Sequence, residues 1–95
     1  MQPLKQAIPR VVTDIVRRAP LSPSKIEFAW GMAVGPSVQR NTTIRLEGTR
    51  LVVESSTQQW ADEVRRSSRV ILARLRAMLG ESTVSGLEIR SNEHA

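Results

Sequence analysis

The apolar positions change period twice along the chain. Upstream, Val12, Ile15 and Val16 recur at helical spacing after Pro9, with Leu4 and Ile8 before them. This predicts a first helix, opened by a proline whose missing N–H costs nothing there. Arg17-Arg18 lie at the end where cations favour the helix dipole, and Ala19-Pro20 stops the element. Ser22-Pro23 reads as a cap and a first-turn proline, opening a second helix with the face Ile26, Ala29, Trp30, Ala33. Val34-Gly35-Pro36 ends or bends it, leaving room for a short turn through Val38. The period then falls to two: Ile44, Leu46, Leu51 and Val53 alternate with Arg45, Glu47, Arg50 and Val52 around Glu47-Gly48-Thr49, which predicts a β-hairpin. Helical spacing returns after a Ser55-Ser56 cap and runs without proline or glycine to Leu79, with Gly80 as terminator. Trp60, Val64, Ile71, Leu75 and Met78 form its stripe, widened by Leu72 and Leu79 as for a helix lying on a sheet. Val84, Leu87 and Ile89 predict a third strand, with a bulge at Gly86.

The order is α-α-β-β-α-β. A strand, a long helix and another strand imply a right-handed crossover, so the third strand runs parallel to the second. The predicted fold is α+β, a three-stranded sheet with helices packed on one face. Residues 1–90 form one domain and residues 91–95 a flexible tail, because 95 residues allow one core and no more.

Composition narrows the chemistry. There is no cysteine, which excludes disulfides, thiol catalysis and Cys-ligated metal sites. The one histidine, His94, has no partner for a triad or a metal cluster, and no G-x-x-x-x-G-K-[ST] is present. No constellation supports an enzyme, and no cofactor or small-molecule substrate is expected. No aliphatic run approaches the roughly 18 residues of a membrane span, and residues 1–8 lack the apolar core of a signal peptide. The expected setting is the cytoplasm. Fourteen Lys+Arg against nine Asp+Glu leave a net charge of +5, so anionic partners, nucleic acid first, are the natural candidates.

Twelve of the fourteen cations are arginine. On one continuous helix, Arg65, Arg69 and Arg76 would project within about 40° of one another, with Arg66 about 60° beyond Arg69. Such a ridge suits phosphate, because the guanidinium fork pairs bidentately with its oxygens. Arg17, Arg18, Arg40 and Arg45 are weaker candidates for the same role. The competing reading is a solvated face, partly neutralised by Asp62 and Glu63. Trp60 could stack on a base, but its place on the apolar stripe assigns it to the core, as for Trp30. With Phe28 they are the only aromatics, too few for the stacking sheet of an RNA-recognition motif. Gly31 and Gly35, four apart, permit close packing and a helix end; they are not the G-x-x-G of a KH domain.

A family resemblance adds to this. Trp30 and Val34-Gly35 lead through Val38 and Asn41-Thr42-Thr43 to the hairpin Ile44-Arg45-Leu46-Glu47-Gly48-Thr49-Arg50-Leu51-Val52-Val53-Glu54. Then follow Ser55-Ser56, Trp60-Ala61, Glu63-Val64, Leu72, Leu75, Leu79-Gly80, Val84 and Leu87-Glu88-Ile89-Arg90. Over residues 25–90 this resembles the DciA family of bacterial replication proteins. The resemblance implies a KH-like α+β fold without the clamping glycine loop. It also implies binding to DNA, single- or double-stranded, and to the replicative helicase, whose loading the family assists. The expectation is a bacterial, nucleoid-associated DNA-binding accessory protein of replication. The alternatives are a protein-interaction module with a basic surface and an RNA-binding KH-like domain.

Overall fold

Proline and hydroxyl side chains set where the helices begin. A computed structural model of the chain describes residues 7–92. Helix α1 (Arg10–Arg18) starts after Pro9, whose carbonyl accepts from the Val12 and Thr13 amides. Ser22 caps α2 (Pro23–Val34), its hydroxyl accepting from the Lys25 N–H at 3.1 Å with Pro23 in the first turn. Gly35 ends α2 at φ +86°, a backbone conformation that favours glycine, and Pro36 opens the single turn of α3 (Pro36–Arg40). The chain then enters β1 (Thr42–Glu47), which pairs antiparallel with β2 (Arg50–Ser55) from Thr42↔Ser55 to Glu47↔Arg50. The loop is therefore Gly48-Thr49, with φ +62° at Gly48 and a positive φ at no other position of the turn. A type II′ hairpin turn has this pattern.

After β2 the helical region divides into α4 (Gln58–Arg66) and α5 (Ser68–Leu79). The uninterrupted helix expected from the sequence is broken at Ser67, whose φ and ψ are −101° and 9°. Its N–H is shared between the Glu63 and Val64 carbonyls, and α5 restarts with the Ile71 N–H on the Ser67 carbonyl. Helices bend sharply at serine pairs such as Ser67-Ser68. The break serves two packing partners: α4 lies over β2 and β3, whereas α5 packs against α1 and α2. The cap also differs from expectation. Ser55 stays in the sheet, and Thr57 caps α4 by accepting from the Trp60 N–H at 3.2 Å.

Strand β3 (Gly86–Ser91) runs parallel to β2 in unbroken register, Arg50↔Gly86 to Ser55↔Ser91. Gly86 is thus the first residue of a regular strand and not a bulge. The Asn92 N–H still bonds to the Ser55 carbonyl, while residues 93–95 of the expected tail lie outside the described residues. The sheet order is β1-β2-β3, with the parallel β2–β3 crossover anticipated from the element order.

All helices cover one sheet face. Leu51 and Val53 point into a core with Trp30, Val34, Val38, Val64, Ile71, Leu75, Met78 and Val84, all buried. Each large aliphatic chain there contributes about 1.5–3 kcal/mol relative to exposure. Trp30 is fixed by polarity as well as packing: its indole N–H donates to Thr42 Oγ1 at 2.9 Å, and that hydroxyl donates to the Val38 carbonyl at 2.8 Å. Trp60 is half-buried at the core's edge. The architecture is α+β and compatible with a small KH-like domain.

Candidate nucleic-acid interface

The break at Ser67 divides the expected arginine ridge. Arg65 and Arg66 close α4, while Arg69 and Arg76 belong to α5, so no single helical phase relates the four. Arg65 bonds Asp62 at 3.0 Å and Arg66 bonds Glu63 at 2.6 Å, both one turn back and exposed. Exposed pairs of this kind are worth little, so both guanidiniums can exchange a carboxylate for a phosphate at small cost. Arg69 is exposed and makes no ion pair among the described residues. Arg76 is engaged elsewhere: its Nε donates to the Val84 carbonyl at 3.2 Å and its Nη2 to the Ser85 carbonyl at 3.0 Å, tying α5 to the entry of β3. Arg65, Arg66 and Arg69 thus fall within five residues around one helix junction, and Arg76 serves the fold.

Arg45 lies on the other side of the molecule, on the sheet face that no helix covers. There the register places Arg45, Glu47, Arg50, Glu54, Glu88 and Arg90 around Val52. Arg45 bonds Glu47 at 2.6 Å and Glu54 at 2.7 Å, Arg50 bonds Glu88 at 3.1 Å, and Arg90 closes on Glu88 as well. Beneath this lattice Val52 is fully buried. The hydrogen bond from Arg45 holds the Glu54 carboxyl below the usual carboxylate range, and bonds from Arg50 and Arg90 do the same for Glu88. Its two carboxylate partners, Glu54 first, push the Arg45 guanidinium up. Three arginines meet three glutamates, so this face carries no net charge. Elsewhere among the described residues ten cations stand against five carboxylates, so their excess of five lies on the helices and loops.

The remaining candidates are on that helical side. Arg17 and Arg18 end α1 and Arg40 ends α3; all three are exposed and without an ion pair among the described residues. No group of three or more His, Asp or Glu able to hold a metal occurs among the described residues, and none of their helices is long and apolar enough to cross a membrane.

The family described as Dna[CI] antecedent, DciA, matches the chain over residues 3–89. The chain belongs to the DciA family. No curated protein and no solved structure matches it. Membership implies a role in helicase loading during DNA replication; DciA is a helicase-loader family and not a known enzyme family.

In this DciA chain the sequence pattern also missed a surface. Ile15 is 64% exposed although it shares helical spacing with the part-buried Val12 and the buried Val16. Phe28 is 51% exposed, and Val11 and Leu21 are open as well. An open groove of about 390 Å³ runs between α1 and α2, lined by Ile15, Ala19, Pro20, Lys25 and Phe28 among others. The signal was available: Phe28 falls outside the face Ile26, Ala29, Trp30, Ala33, and Val11 precedes Ile15 by one turn.

Proposed function

We propose that this DciA-family chain binds DNA and the replicative helicase directly, and that Arg65, Arg66 and Arg69 at the α4–α5 junction contact the DNA backbone. The observation that carries the reading is the charge distribution: the open sheet face is balanced, so the excess carried by the described residues lies on the helical side. Arg69 stands there with no carboxylate partner among the described residues, beside two arginines held only by exposed one-turn pairs. Arginine suits this task because its fork meets phosphate bidentately. Arg17, Arg18 and Arg40 extend the basic surface. Arg76 and Arg45 are the least suited of the eight candidates, since the first is held by backbone carbonyls and the second by two glutamates. The role is non-enzymatic and needs no cofactor: the protein positions the helicase on its template. A cytoplasmic, nucleoid-associated location goes with that role.

Polarisation titrations with labelled single- and double-stranded DNA over a salt series test the DNA half. Each phosphate neutralised on a single strand adds about 0.7 to the slope of log K against log salt. The triple reversal Arg65→Glu, Arg66→Glu, Arg69→Glu is expected to weaken binding at least tenfold and flatten that slope, with helix content unchanged. Equal affinity in the triple variant and the parent refutes the junction as the contact.

A further inference from the structure

We infer that the groove between α1 and α2 is a protein-docking site that takes an apolar helix with acidic flanks, carried by the replicative helicase. This rests on the helicase-binding reading above and goes beyond it by naming the surface and the chemistry of what it accepts.

Among the described residues, four of the five large apolar side chains left exposed, Val11, Ile15, Leu21 and Phe28, lie on α1, α2 and the loop between them. Ile15 of α1 and Phe28 of α2 both line the groove, together with Ala19 and Pro20 of the connection between the helices. Val11 continues the Ile15 stripe by one turn. Clustered exposure of this kind marks an interaction site, whereas single exposed apolar residues are ordinary.

The groove's polar groups decide between kinds of occupant. A strand would need free backbone groups on the wall. The walls are helices, and two carbonyls at the end of α1 are already taken: Lys25 Nζ donates to the Ala19 carbonyl at 2.7 Å and to the Arg17 carbonyl at 3.3 Å. Recognition there falls to apolar side chains inserted between two helices, the helix-in-groove mode. Charge then selects the flanks of the visitor. Arg17, Arg18 and Lys25 outnumber Asp14 and Glu27 around the groove, and Arg18 follows Ile15 on its own stripe. An occupant with carboxylates beside its apolar face complements that rim. The site is distinct from the arginine junction of α4 and α5.

Helicase binding is measured with the full chain and with the double variant Ile15→Asp, Phe28→Asp, whose substituted side chains are exposed. DNA binding, circular dichroism and light scattering are recorded alongside. The expected result is at least a tenfold loss of helicase affinity with DNA affinity and helix content retained. A few-fold weakening of the parent's helicase binding as salt rises is also expected. If the double variant loses helix content, Ile15→Ser is read in its place. Equal helicase binding by parent and variant overturns the groove assignment and leaves the helicase reading intact. Absence of binding by the parent chain overturns both. A parent that dimerises through the groove, with a monomeric variant that still binds helicase, also overturns the assignment, because the occupant is then a second copy.

Discussion

Two hydroxyls at paired positions on the inner sheet face show how differently the fold uses the same group. Thr42 receives the Trp30 indole N–H and donates onward to the Val38 carbonyl, so one small side chain satisfies a buried donor and a buried acceptor. Ser55, paired opposite Thr42, is fully buried with its Oγ unpartnered. Removing a hydroxyl should therefore have opposite effects at the two positions. Thr42→Val leaves the Trp30 indole N–H without a partner, while the Val38 carbonyl keeps the Asn41 N–H, and should cost about 1–3 kcal/mol in a urea titration. Ser55→Ala removes an uncompensated polar group and should leave the midpoint unchanged or raise it. That Trp30 is core was legible from its place on the apolar stripe. Its dependence on Thr42 was not, because the two residues meet only when β1 folds back beside α2. Arg76 teaches the same point: helical spacing placed it on the phosphate ridge, whereas the turn of the chain after α5 brings back Val84 and Ser85, whose two carbonyls take it up.

At the scale of elements, local signals predicted best where one turn or cap settles the geometry. The hairpin is an example, since period-two alternation on both sides of Gly48 leaves a single register that buries Ile44, Leu46, Leu51 and Val53 together. Gly48 and Gly86 then divide by backbone. At Gly48 (φ +62°) an added Cβ meets no neighbour, so Gly48→Ala should cost about 1 kcal/mol through backbone strain alone. Gly86 lies in regular strand with equally open space, and Gly86→Ala should raise stability by about 0.4–1 kcal/mol by restricting the unfolded chain. Thermal midpoints of the two variants against the parent check the pair. The junction at Ser67 was not legible, for a physical reason. The apolar spacing runs from Val64 to Ile71 in seven residues, two full turns, so the stripe continues across the break. Only the competition between the sheet, which holds α4, and the α1–α2 pair, which holds α5, demands a bend. Similarly, Ile15 falls within the helical pattern of α1 and yet faces out, because periodicity marks an apolar stripe without saying how wide a stripe the neighbours cover.

For the whole molecule, the two faces of the sheet have different chemistry and different responses to pH. The helix-covered face is held by apolar burial, which is indifferent to protons. The open face is held over Val52 by arginine–glutamate bonds that keep Glu54 and Glu88 below the ordinary carboxylate range. A carboxyl whose folded pKa is depressed adds stability above its unfolded value, and that contribution is lost as pH falls through the folded one. Thermal stability should accordingly decline as pH drops below about 4, and Glu88→Gln should make the decline shallower. The exposure of these pairs keeps the effect small. Midpoints measured across that range for parent and variant decide it. The balanced lattice has a second consequence, which concerns encounter rather than stability. A body that carries its excess charge on one side and none on the other feels a torque as well as a pull near a polyanion. Such a molecule is turned before it touches, helices leading and sheet trailing, so its orientation is selected during approach and not by search after collision.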